Sequence, residues 1–214
     1  MSSRALHFPA GTLTHLPQAE VAAQRELTAL ARLEDAGVPL GVVVLPSAIE
    51  ESFYRLNDLP RRLARLYQGL DPHDPDEDIL EEAEGPAMRL ITESYLLDDA
   101  IDAVYASLAS LSGPLTVRRP GAPGEAVAGT RAALLAVKRK FRDDWAADAV
   151  HGRLELSSRL GVDARPVIVH GADAPGAPAG AVELVIREAL GAAALTSVDA
   201  NGAITRVHPV DEPS

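Results

Sequence analysis

The sequence predicts an α+β fold, and three observations carry that expectation. Helix-period apolar patterns dominate the first two-thirds of the chain, one β-prone run interrupts them early, and short β-prone runs accumulate after residue 113. The chain has 214 residues, 47% of them hydrophobic, which is enough to bury a core. No window approaches the ~18 consecutive apolar residues of a membrane span. The opening MSSRALHFPAGTLTHLP lacks the continuous apolar core of a signal peptide, so a cytoplasmic location without a membrane partner is expected. Cysteine is absent, which excludes disulfides, thiolate metal sites and cysteine nucleophiles. A net charge of −11 repels a phosphate backbone and argues against nucleic acid as a partner.

The first element is AEVAAQRELTALARLEDAGVPL, where Val21, Leu27, Leu30 and Leu33 recur near helical spacing and Gly37 with Pro39 marks a stop. LGVVVL then reads as a buried strand at Val42 to Leu45. PSAIEESFYRL begins a second helix, with Ser47 as N-cap and Glu50 at the capping-box spacing. Residues 1–70 therefore read as an N-terminal α/β layer. DPHDPDEDILEEAE, residues 71–84, is a dense acidic run. A calcium loop would need a glycine for its turn, and Pro72 and Pro75 stand there instead, so the run reads as a solvated linker. From Ile79 to Leu111 the pattern is helical, with Leu90, Ile91, Tyr95, Leu97, Ile101, Val104, Tyr105 and Leu108 as an apolar stripe, completing a linker and helical segment over 71–112.

Residues 113–214 form the β-rich part. PLTVRRPGAPGEAVAGT, residues 114–130, ends an apolar run on two adjacent arginines and continues into a loop of glycine and proline. RAALLAVKRKFRDDWAADAV is the clearest helix. Leu134, Val137, Phe141, Trp145 and Ala149 make one buried face, and Lys138, Arg139, Lys140 and Arg142 make a solvated basic side. ARPVIVH, AGAVELVIRE and AALTSVDANGAITRVHP are short β-prone runs, and Asn201-Gly202 in the last is a hairpin turn signal. A sheet assembling late, antiparallel or mixed, is expected. Its strands are placed at Val42 to Leu45, Leu115 to Arg118, Pro166 to His170 and Val182 to Arg187, in one unit with the Ala132 to Val150 helix packed on it and Trp145 buried. The histidines, at positions 7, 15, 73, 151, 170 and 208, have no neighbours at metal-ligand spacing, so no metal site and no catalytic residue is assigned.

The succession of segments resembles the N-terminal nucleotide-binding domain of the phosphoenolpyruvate synthase and pyruvate phosphate dikinase family. LTALARLEDAGVPLGVVVLPSAIEESF is similar to the family's helix, A-G-x-x-V-P stop, strand and serine- or threonine-led helix. LTVRRPGAPGEAVAG is similar to V-R-S-S followed by E-D and F-A-G. LLAVKRKFRDDWAADAVHGR resembles the helix A-V-K-x-V-F, and VIVHGADAPGAPAGAVEL resembles V-Q-R-M-V followed by S-G-V-x-F. The resemblance implies an ATP-grasp-like fold and, for an intact site, ATP and Mg²⁺ as cofactors of a phosphotransferase.

Departures from the family pattern bear on function. The family's glycine-glycine-lysine falls on Gln24, Arg25 and Glu26, so a carboxylate stands where a phosphate-gripping cation is expected. Arg118 matches the family's phosphate arginine, Arg119 and Pro120 replace two serines, and Gly124-Glu125 replaces an acidic pair. His170 replaces a glutamine, and Ala192 a glutamate. The sequence stops at Ser214, ahead of the family strands that bring magnesium ligands and adenine contacts. Arg118, Arg119 and Arg25 are therefore the candidate remnant phosphate-binding residues. An anion could sit between Arg118 and the helix start after Gly129, or Arg118 could pair inside the protein with Glu125 or Glu26.

The expected function is a non-catalytic, degenerate relative of the ATP- and pyruvate-binding domain, acting as a binding or regulatory module with at most weak nucleotide or phosphate affinity. One alternative is a chain of a split ATP-dependent phosphotransferase that needs a second polypeptide for the missing parts. The other is an acidic protein-interaction module that binds no nucleotide.

Overall fold

In the computed structural model, the residues described are 16–111, 113–161, 164–173, 180–191 and 194–209. His7, His15 and Ala192 lie outside them. Among the described residues the chain is α+β, and no helix is long and apolar enough to cross a membrane.

At the centre is an antiparallel sheet of four strands, β1 (Val42–Leu45), β2 (Pro114–Arg118), β3 (Glu125–Ala128) and β4 (Val167–Gly171), in the spatial order β1-β4-β2-β3. β4 lies between β1 and β2, with Val43 opposite Val169 and Val117 opposite Val169 on its other edge. Residues from positions 42 to 171 thus share one sheet. The expected late assembly describes only a separate two-stranded hairpin, β5 (Ala194–Val198) and β6 (Ile204–Pro209). Its turn holds Asn201 and Gly202, with Gly202 at φ +79°, as the Asn-Gly signal predicts.

Alternation along the strands feeds two cores. Val43, Leu45, Leu115, Val117, Val167 and Val169 face one side, where they meet the helices α3 (Ser47–Leu56), α4 (Leu59–Leu66), α5 (Glu77–Glu93), α6 (Asp98–Leu108), α7 (Thr130–Asp143) and α8 (Ala147–Ser157). Val42 and Ile168 face the other side, against α2 (Arg25–Asp35), α9 (Gly180–Leu190) and the β5–β6 hairpin. A short helix α1 (Gln18–Ala22) precedes α2.

Several sequence expectations are corrected here. The run at Val182 to Arg187 is helical, part of α9, because Ile186, Ala189 and Leu190 turn inward at i, i+3 and i+4 while Leu184 is exposed. Ser47 is not the N-cap of α3. Pro46 occupies that position, and the Ser47 backbone N–H is taken by Glu20 Oε1 at 2.7 Å, so α1 caps α3 from outside while Glu50 turns into the core. The helical stretch from Ile79 to Leu111 breaks at Ser94 to Leu97. Asn57 bonds both the N–H and the carbonyl of Tyr95, which leaves Tyr95 and Leu97 exposed rather than in the apolar stripe. The Ala132 to Val150 helix likewise breaks at Asp144 to Ala146, after which Val150 rather than Ala149 is the buried residue. Trp145 at that break is buried as expected, and its indole N–H donates to the Tyr54 hydroxyl at 2.6 Å.

The basic side of α7 is engaged rather than solvated. Lys138 donates to the carbonyls of Thr92 and Ser94, Arg139 and Lys140 meet Glu125, and Arg142 meets Asp143. The acidic run 71–84 forms a turn and then the start of α5, with the Asp76 side chain accepting from the Asp78 N–H as its cap. Among the described residues no cluster of histidine and carboxylate side chains could hold a metal ion.

Candidate functional site

The two adjacent arginines sit at the end of β2, where successive side chains point to opposite faces. Arg118 therefore enters the core beneath α2 and β6, and Arg119 enters the core among α3, α7 and α8. Both are buried, with Arg118 at 0% exposure.

Arg118 meets Glu26 in a two-pronged pair, Nη1 to Oε2 at 2.6 Å and Nη2 to Oε1 at 2.7 Å. Nη2 also donates to the Thr205 carbonyl of β6 at 3.1 Å, and Nε donates to His170 Nε2 at 3.3 Å. The planar fork of a guanidinium suits a carboxylate held this way. Glu26 is filled from other directions too: its carboxylate accepts the Gly121 N–H at 2.7 Å and the Val207 N–H at 3.4 Å. Burial raises the Glu26 carboxyl, but the hydrogen bonds and charge of Arg118, with the Gly121 and Val207 N–H groups, outweigh it and hold the carboxyl below its usual range.

The loop after the arginines is a tight turn. The Ala122 N–H bonds the Arg119 carbonyl at 3.1 Å, with Pro120 at the second position and Gly121 at φ +73° at the third, the pattern of a type II turn. Pro120 fixes the turn, and the turn aims the Gly121 N–H at Glu26. Gly124 is closely approached, since a Cβ there would lie 2.2 Å from the Thr116 methyl and would force that side chain to move. The stretch 114–130 is thus a β-hairpin leading into α7.

Arg119 serves the opposite core. Its Nη2 reaches both Glu50 oxygens at 2.9 Å and Asp144 Oδ2 at 2.5 Å, its Nη1 donates to the Arg165 carbonyl, and its guanidinium lies 5.5 Å from the Phe141 ring centre. Arg165 closes the network through its N–H to Glu50 at 2.9 Å and its side chain to Asp144. Two carboxylates and two guanidinium groups balance in charge. Burial still pushes the Glu50 carboxyl up to about 7, with Asp144 adding to the rise and Arg119 opposing it.

The sequence candidates therefore separate. Arg118 and Arg119 are neighbours that share no partner, and Arg25 is exposed on α2 beside the buried Glu26. Glu125, expected as an internal partner of Arg118, pairs instead with Arg139 at 2.5 Å. Glu50, which the sequence offers only as a capping-box residue, and Asp144 and Arg165 are the partners that sequence reasoning does not assign to Arg119. The available signal was the alternation of a strand, which obliges the second arginine to find carboxylates on the other face. An open cavity of about 590 Å³ is lined by Glu51, Arg55, Asp58 and Arg61 among others and includes none of the three candidate arginines. Arg61 is already paired there with Asp58 at 2.6 Å.

His170 joins the Arg118 group from β4. Its Nδ1 lies 2.7 Å from the Gly171 carbonyl, so the ring is neutral with its proton on Nδ1 and Nε2 free to accept from Arg118. Burial lowers its pKa, the Arg118 and Arg206 charges lower it further, and the Gly171 carbonyl and Asp173 oppose them. A histidine with a depressed folded pKa contributes stability that is present above its unfolded value of about 6.5 and is lost as pH falls below it. Glu50 runs the other way, its contribution fading as pH rises from its unfolded value to about 7. Replacing His170 with Gln isolates the first effect. The variant should lose less stability than the parent when urea melts at about pH 7.5 and pH 5 are compared. Equal losses in the two proteins would contradict a neutral buried His170.

Neither a scan against protein-family models nor a search of curated proteins finds a match to this sequence.

Proposed function

We propose that this chain is a non-catalytic binding module, a degenerate relative of the phosphoenolpyruvate synthase and pyruvate phosphate dikinase nucleotide-binding domain, in which the phosphate place is closed from within. The observation that supports this reading is the two-pronged Arg118–Glu26 pair. In an anion site of this kind a guanidinium fork and a turn N–H converge on the ligand's oxygens. Here the same two donors converge on Glu26. The carboxylate supplies the negative charge and the acceptor atoms that a phosphate would bring, and it is covalently part of the protein. Arg119, the second candidate cation, is likewise committed to Glu50 and Asp144.

Phosphoryl transfer requires cations preorganised around the transferred group, where they stabilise the charge that develops. Both arginines are held instead as internal ties between layers. A ligand that binds only the folded state raises its melting temperature once it is well above its dissociation constant. Titrating the protein with ATP, AMP, pyruvate and phosphoenolpyruvate, with and without Mg²⁺, should leave the melting temperature unchanged. A rise with Mg-ATP that disappears in Arg118→Lys would contradict the reading.

A further inference from the structure

We infer that the groove between α4 and α5 is a docking site for an acidic, leucine-bearing segment of a partner protein. The inference rests on the reading above that the chain works by binding. Arg62 and Arg65 stand three residues apart on α4 and form one wall, and Arg89 on α5 forms the other. Leu66 and Leu90 lie half-buried between them, with Pro86 beside, and the groove encloses about 370 Å³. Both leucines rest on the main core beneath, so the floor of the groove is fixed.

The groove brings three arginines together around an apolar floor. The chain carries 31 acidic residues against 20 basic ones. Lys138, Arg139, Lys140 and Arg142 on α7 and both arginines at the end of β2 are taken up by carboxylates or carbonyls. The side chains of Arg62, Arg65 and Arg89 have no ion-pair or hydrogen-bond partner among the described residues, although Glu93 lies one turn from Arg89 on the same wall. Three like charges facing one another across a groove repel, and an anionic occupant removes that cost.

The floor selects the class of occupant. A free phosphate would meet one or two guanidinium groups and leave Leu66 and Leu90 in water. A peptide with carboxylates along its edges and leucines at its centre would meet the two walls and cover the floor, the arrangement of groove recognition by an apolar face rimmed with charge. Arginine is the cation suited to this, since each fork can take a carboxylate two-pronged.

The test uses a fluorescein-labelled peptide of alternating glutamate and leucine blocks, read by fluorescence anisotropy against the full chain. Binding is expected, weakening with salt, and absent for the same peptide with glutamine in place of glutamate. The Arg62→Gln/Arg65→Gln protein should bind about tenfold more weakly or worse, and Arg89→Gln should weaken it as well. Arg187→Gln, at an exposed arginine on α9, should bind like the parent. Circular dichroism confirms that each variant is folded, which these exposed positions allow. Equal binding by the parent and the groove variants would overturn the inference, as would equal weakening by Arg187→Gln. It would also be overturned by full displacement of the peptide by inorganic phosphate at a concentration set by phosphate affinity alone, or by self-association of the chain that the groove variants abolish while the peptide does not bind. None of these outcomes involves Arg118, so failure here leaves the closed phosphate place standing, and Arg118-dependent binding of Mg-ATP would count against that place alone.

Discussion

The Arg119→Ala protein is expected to be less stable than the parent by about 3–5 kcal/mol, the cost of removing one partner from a buried ion pair. Alanine leaves Glu50 and Asp144 inside the core of α3, α7 and α8 without the cation that lies between them. Arg165 still reaches Asp144, so Glu50 bears most of the loss. Its carboxyl already stands at about 7 through burial, and loss of Arg119 raises it further. A group with a raised folded pKa gives stability that is present below its unfolded value and lost as pH rises, so the deficit should be larger near pH 8 than near pH 6. Arg119→Lys should recover little, since one ammonium cannot reach Glu50, Asp144 and the Arg165 carbonyl together. Urea melts of the three proteins at both pH values provide the measurement. A loss under about 1 kcal/mol, typical of an exposed pair, would show that the network is not buried as described.

Much of the fold could be read from periodicity, and the errors share a cause. The strand at Val42 to Leu45, the strand ending in Arg118 and the Asn201-Gly202 turn are local signals, each decided by a few residues. The helix breaks at Ser94 and Asp144 are tertiary. Asn57, distant in sequence, ties down the Tyr95 backbone, and Trp145 is anchored by the Tyr54 hydroxyl. AGAVELVIRE satisfies both a strand and a helix pattern, and the apolar surface of α2 and β5–β6 favours the helix. For the site, Glu26 could be named from sequence as one of two carboxylates open to pairing with Arg118, and it is the one that does so. Glu50 and Asp144 were not visible, since one resembled a capping-box residue and the other part of a charged helix end.

Glu26→Ala is expected to cost a similar ~3–5 kcal/mol, because it leaves the fully buried Arg118 guanidinium with only His170 and the Thr205 carbonyl. Arg118→Ala should be comparably destabilising, since it strands the Glu26 carboxylate with two backbone N–H groups. Removing both should cost less than the two single losses added together, because no unpaired charge remains.

The Glu26→Ala protein also offers the most direct test of the closed phosphate place. Acetate has the same heavy atoms as the part of the Glu26 side chain that alanine lacks, and phosphate is the anion whose place Glu26 takes in the proposed function. Thermal melts of Glu26→Ala should therefore shift upward with added acetate and with added phosphate, while the parent and the Glu26→Ala/Arg118→Ala protein show no such shift beyond that of chloride at equal ionic strength. An upward shift of the parent itself with phosphate, lost in Arg118→Ala, would contradict the account, as would a Glu26→Ala protein that neither anion stabilises.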